Sequence, residues 1–252
     1  MVKVRFTGRI FPAAINISID NHPATNWKSP DLGLDMTFRV QIKNNNITIE
    51  CEMNRFDGAS HVTPLFMRAH DIARATVDLI SFSTGNGLVV ILDTFTDPNG
   101  ITTSLAAQQP TLAALATAIN GEAGSYDKVL RILLTEPPLF IALRDLIDAI
   151  TIPHSSPANC ARAVEALRAY FVPSGGQPSD GWNKLRENLQ ISKAYLEVIT
   201  DTSKGPRHGD HAHIPGSITS DVATRAWTVM NRFFEYQKRG AQPLPLSEFP
   251  ML

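Results

Sequence analysis

The sequence predicts an α+β protein: an N-terminal antiparallel β-sheet with one packed helix, followed by a C-terminal all-α helical bundle. Three observations predict it. Apolar and polar residues alternate with period two through the front of the chain. From His61 to Phe82 the spacing becomes helical. Beyond residue 103, amphipathic stripes separated by prolines replace strand chemistry.

Residues 2–11 read as a strand, with Val2, Val4 and Phe6 alternating with Lys3, Arg5 and Thr7 before Pro12 closes the run. Ile15, Ile17 and Ile19 alternate with Asn16, Ser18 and Asp20 and suggest a second short strand; residues 21–35 read as a loop. Met36, Phe38, Val40 and Ile42 and then Ile47, Ile49 and Cys51 alternate on either side of Asn44-Asn45-Asn46, a hairpin signature because asparagine tolerates positive φ. In the helix that follows, Leu65, Phe66, Ala69, Ile72, Ala73, Val77 and Ile80 form the apolar face. Ser83-Thr84-Gly85-Asn86-Gly87 ends it, and Leu88–Phe95 is an apolar strand ending at Asp97-Pro98-Asn99-Gly100.

Helices are expected near 103–119, 125–135, 137–151, 157–171, 181–202 and 219–239, the last with Thr219 or Ser220 as N-cap. Trp182, Leu185, Leu189, Leu196 and Ile199 make one core stripe, and Val222, Ala226, Val229, Met230, Phe233 and Phe234 another. The expected organisation is a β-rich domain over 1–100, a bundle over 101–240 and a Pro-rich tail over 241–252, either loosely ordered or extended along a surface.

Net charge is −1, with 9 Lys+Arg against 10 Asp+Glu in residues 1–100 and 14 against 14 beyond, so a nucleic-acid ligand needs a local basic patch. Cys51 and Cys160 make no disulfide framework. The N-terminus carries charges where a signal peptide needs its apolar core, and no apolar run spans a bilayer, so the expected location is cytoplasmic. Dinucleotide and phosphate-loop glycine motifs, the hydrolase elbow, H-E-x-x-H and C-x-x-C are all missing. Asp145 and Asp148, spaced i,i+3, read as a solvated helix face, as do His70 and Asp71.

The most informative stretch is Arg207-His208-Gly209-Asp210-His211-Ala212-His213, which holds three of the seven histidines and lies between two amphipathic helices. Arg207, the polar His208 and then His213 after five intervening residues resemble the signature of the HEPN superfamily. Those helical-bundle domains belong to prokaryotic defence and toxin systems, and their motif is an arginine, usually a polar residue, and a histidine after four to six intervening positions. The resemblance covers about residues 125–240, and in related bacterial proteins a β-rich domain often precedes the bundle. It implies a metal-independent endoribonuclease that needs no cofactor, acting on RNA and commonly assembled as a homodimer with two motifs facing each other. Arg207 would hold the phosphate with its planar fork of donors, His213 would act as acid or base, and His208 would take the polar position.

Pro206, Gly209, Pro215 and Gly216 bracket the motif, which favours a loop or frayed turn over a continuous helix. His208, His211 and His213 with Asp210 also offer ligands for zinc or another transition metal, although H-x-x-H-x-H matches no closed zinc pattern. The non-enzymatic alternative is an interaction module that binds a protein partner through the front sheet, the loop around Trp27 or the Pro-rich tail.

Overall fold

The computed structural model describes the chain except residues 21, 31, 106–109, 121–122, 153–154, 174, 209–213 and 215, and the side chains of Ala59 and Pro206. It divides into two compact units, Met1–Ala106 and Ala107–Leu252.

The first unit is the antiparallel sheet with one helix. Its strands are β1 (Val2–Phe11), β2 (Thr25–Ser29), β3 (Leu34–Lys43), β4 (Asn46–Met53), β5 (Val89–Thr96) and β6 (Thr102–Ser104), in spatial order β2-β3-β4-β1-β5-β6. Helix α1 (Ala59–Thr84) covers one face. The alternation places Val4, Phe6, Ile10, Phe38, Val40, Ile49 and Cys51 in a core with Leu65, Ala69, Ala73 and Val77 of α1. The β3–β4 hairpin turns at Asn44 and Asn45, both at positive φ, with Lys43 opposite Asn46. Gly85 ends α1 in the left-handed conformation, its N–H bonded to the Ser81 carbonyl.

Three local expectations are corrected. Ile15–Ile19 is not a strand; it makes one isolated bridge, Ile19 to Ile42. The Asn45 side chain, accepting from the Ile17 N–H at 2.6 Å and donating to the Ile15 carbonyl, holds it together with two backbone bonds, from the Asn45 N–H to the Ile17 carbonyl and from the Ile19 N–H to the Ile42 carbonyl. The loop over 21–35 contains β2, an edge strand in which Trp27 sits opposite Met36. Strand structure also continues past residue 100, because Asp97 accepts from the Asn99 and Ile101 N–H groups and folds β6 back onto β5.

The second unit is helical: α2 (Pro110–Leu115), α3 (Thr117–Asn120), α4 (Ser125–Thr135), α5 (Pro137–Thr151), α6 (Ser156–Tyr170), α7 (Pro178–Leu189), α8 (Lys193–Thr202), α9 (Lys204–Arg207) and α10 (Gly216–Lys238). The helix expected over 103–119 is therefore two short helices after a strand. The helix expected over 181–202 is two, because Gln190 adopts φ 56° and Ser192 caps α8 by accepting from the Tyr195 N–H. Helix α10 starts at Gly216, ahead of Thr219 and Ser220, which lie inside its first turns.

Both predicted stripes reach the core: Leu185, Leu189, Ile199, Val222, Ala226, Val229 and Phe233 are all buried. Residues 241–252 lie on the bundle surface, with a turn at 245–249 where the Glu248 and Phe249 N–H groups bond to the Pro245 carbonyl. Leu244 N–H bonds to the Asn188 carbonyl and Leu252 N–H to the Gln190 carbonyl, and Arg239 grips Glu248 through two hydrogen bonds.

Candidate functional site

The chain leaves α8 at Ser203, which is fully buried and donates its hydroxyl to the Thr200 carbonyl. It then makes one more helical turn. The Arg207 N–H bonds to the Ser203 carbonyl, and the His208 N–H is shared between the Lys204 and Gly205 carbonyls. Arg207 therefore ends a single helical turn, one of the two forms the bracketing prolines and glycines favour. Pro206 is compatible with this turn because the first N–H groups of a helix need no intrahelical acceptor.

Helix α9 packs beside α6, and that contact fixes the arginine. Arg207 Nη1 donates to Glu165 Oε1 at 2.6 Å and Nη2 to Oε2 at 3.1 Å, a two-point fork. The pair is part-exposed, with side-chain accessibilities of 38% for Arg207 and 32% for Glu165. The Glu165 hydrogen bonds and charge push the Arg207 guanidinium above its ordinary range, so it stays protonated at any working pH. Of its five N–H donors two are spent on Glu165, and the described residues account for no others. The neighbouring Lys204 is likewise paired, with Asp201 at 2.7 Å. Each cation of this turn thus has its own carboxylate, and local positive charge is lower than the sequence suggests.

His208 is exposed at the end of this turn. His213, His211 and Asp210 lie outside the described residues, so the structure brings together only Arg207 and His208 of the expected set. Among the described residues no group of three His, Cys, Asp or Glu is placed to hold a metal ion. Glu165 escaped the sequence reading: it is 42 residues from Arg207, and the only local hint is that it is the one acidic residue in α6.

Other titratable groups read as structural. Asp145 is not on a solvated face: it is 5% exposed, paired with Arg162 at 3.1 Å, and among the described residues its Oδ2 has no hydrogen-bond partner. Burial pushes its carboxyl up, against the pull of Arg162. His61 is buried and its Nδ1 accepts from the Asp57 N–H. Burial raises the thiols of Cys51 and Cys160 to about 12, which makes them inert. A cavity of about 380 Å³ at the end of β1 is lined by Arg9, Phe11, Asn16 and Asn44–Asn46. Two of its polar side chains are engaged within the unit, Arg9 with Asp93 and Asn45 with residues 15 and 17.

The fold and site define a two-part protein, a helix-covered antiparallel sheet and a helical bundle with an arginine-led turn before its last helix. Residues 4–105 match the N-terminal domain, and residues 126–238 the C-terminal domain, of the family described as Domain of unknown function (DUF8168). The chain carries both domains of the DUF8168 family, in order. No curated protein and no solved structure matches it. Among the described residues, no helix is long and apolar enough to cross a membrane.

Proposed function

We propose that the helical unit is a HEPN-like module of a prokaryotic defence or toxin-type system and cleaves RNA without a metal ion. Arg207 contacts the scissile phosphate, His213 moves the protons, and His208 stands beside Arg207. In that reaction the ribose 2′-hydroxyl attacks the adjacent phosphorus and the bond to the 5′-oxygen breaks. A histidine near its ordinary pKa can take the first proton and return one to the leaving oxygen. The arginine meets the charge that develops on the phosphorane oxygens.

One observation carries the reading. Arg207 is held at the end of a helical turn, part-exposed and two-point bonded to Glu165, immediately before the histidine-bearing segment. Incubation of the purified chain with mixed RNA in EDTA tests it. Wild type is expected to cleave and His213→Ala to lose cleavage; RNA left intact by wild type sinks the proposal.

A second reading, a non-enzymatic module that binds a protein partner, has its own support. Leu134 is 77% and Phe140 57% exposed at the α4–α5 corner, near exposed Leu130 and Ile141. Two surfaces expected for a partner are already engaged: the tail packs on the bundle, and Trp27 is half-buried with Arg68 over its ring. Wild type that self-associates in sedimentation and leaves RNA intact, with the association lost in a Leu134→Asp, Phe140→Asp variant, would favour this reading; RNA cleavage by wild type, or no association, would overturn it.

A further inference from the structure

We propose that Glu165 is a latch on Arg207: its carboxylate fills the guanidinium fork that a phosphate group takes, and exchange of one for the other sets how tightly the helical unit holds phosphate-bearing ligands. This deepens the reading above and rests on Arg207 being its phosphate-contacting residue.

The geometry supports exchange. Both Glu165 oxygens face the two terminal nitrogens of Arg207, at 2.6 and 3.1 Å. Carboxylate and phosphate offer an arginine the same two-oxygen edge, so while Glu165 is seated that edge is closed to a ligand. The pair is also releasable. Both partners are about a third exposed, and ion pairs in that setting are screened and individually weak. Arg232, a cation buried in the same unit, contrasts with it. It is 6% exposed and donates to the Leu189, Gln190 and Pro250 carbonyls, fixed backbone that no ligand can displace. Arg207 is bound instead through a side chain that can swing away, on a helix separate from its own.

The experiment measures binding of inorganic tripolyphosphate and of a short single-stranded RNA to the full chain, as wild type, Glu165→Gln, Arg207→Ala and the double variant. Glu165→Gln is expected to tighten both ligands by about two- to fivefold, the strength of a screened pair. It should also steepen the salt dependence of RNA binding by about 0.7, one added phosphate contact on a single strand. In the Arg207→Ala background the same change is expected to do nothing. Glu165→Asp keeps the charge on a shorter arm and is expected to fall between wild type and Glu165→Gln; it carries the test if the Gln variant melts early.

Unchanged or weaker tripolyphosphate binding by Glu165→Gln overturns the latch and makes Glu165 a residue that orients Arg207. A gain that persists without Arg207 overturns it too, since that is a general charge effect. RNA left uncleaved by wild type, with the tripolyphosphate gain intact, removes the nuclease reading and leaves the latch standing. Cleavage by wild type with no gain does the reverse.

Discussion

A row of cations on the sheet and one arginine in the helical unit are held in contrasting ways. On the face of the sheet away from α1, exposed cations stand in a ladder of pairs: Lys3 and Arg39 both reach Glu52, at 2.9 and 2.8 Å, Arg5 reaches Glu50, and Arg9 reaches Asp93. In the helical unit Arg232 is buried and satisfied by backbone carbonyls, with the Phe249 ring beside it. Exposed pairs are screened and hold little together, whereas a buried guanidinium organises the backbone around it. Here it ties the α7–α8 junction to residue 250 of the tail. Arg207 belongs to neither class: it is paired like the sheet cations but placed at the bundle's histidine-rich segment.

The sharpest way to break this contrast is Arg232→Met, which takes the guanidinium donors from the Leu189 and Pro250 carbonyls and leaves Gln190 with the Leu252 N–H alone; it is expected to destabilise the bundle by about 2–4 kcal/mol in chemical denaturation. Arg39→Met on the sheet face is expected to change stability little. Equal losses in the two would abolish the distinction. A somewhat smaller effect is expected from Gly8→Ala in β1. The register shifts there beside Asp93, and an added Cβ would collide with the Ile91 carbonyl oxygen. The expected loss is about 1–3 kcal/mol, and an unchanged melting curve would contradict the bulge geometry.

The smallest effects concern acid. Hydrogen bonds from Lys3 and Arg39 hold the Glu52 carboxyl at about 2, below its ordinary 4.5. Its contribution is therefore present above pH 4.5 and lost as the pH falls from there toward 2. Asp145 has the opposite sign. Burial raises its carboxyl, so the folded state binds the proton more tightly and acid favours it. Glu52→Gln is expected to flatten the acid loss of stability, and Asp145→Asn to remove a gain and leave stability at pH 7 unchanged or slightly higher. Melting curves between pH 7 and pH 2.5 check both signs.

Much of the fold was legible because period and punctuation agreed. The β3–β4 hairpin followed from alternation around Asn44 and Asn45, and α4, α5 and α6 from proline-delimited stripes. What was not legible depended on side-chain hydrogen bonds. Asn45 claimed the Ile15–Ile19 segment that alternation assigned to a strand, and Asp97 made room for β6. Gln190 and Ser192 broke a helix whose apolar spacing continues across the break. The candidate site was legible as chemistry, not as circumstance. Arg207 and His208 stand out in the sequence, but a carboxylate 42 residues away that neutralises the arginine leaves no periodic trace.

Cleavage of RNA by the purified full chain in EDTA, followed for wild type, His213→Ala and Arg207→Ala, tests the central claim most directly. The account predicts cyclic-phosphate and 5′-hydroxyl ends from wild type. It predicts loss of cleavage in His213→Ala and a fall of about 10²–10³ in rate for Arg207→Ala, the size expected when a donor to developing negative charge is removed. Intact RNA with wild type, or equal cleavage by all three proteins, would contradict it.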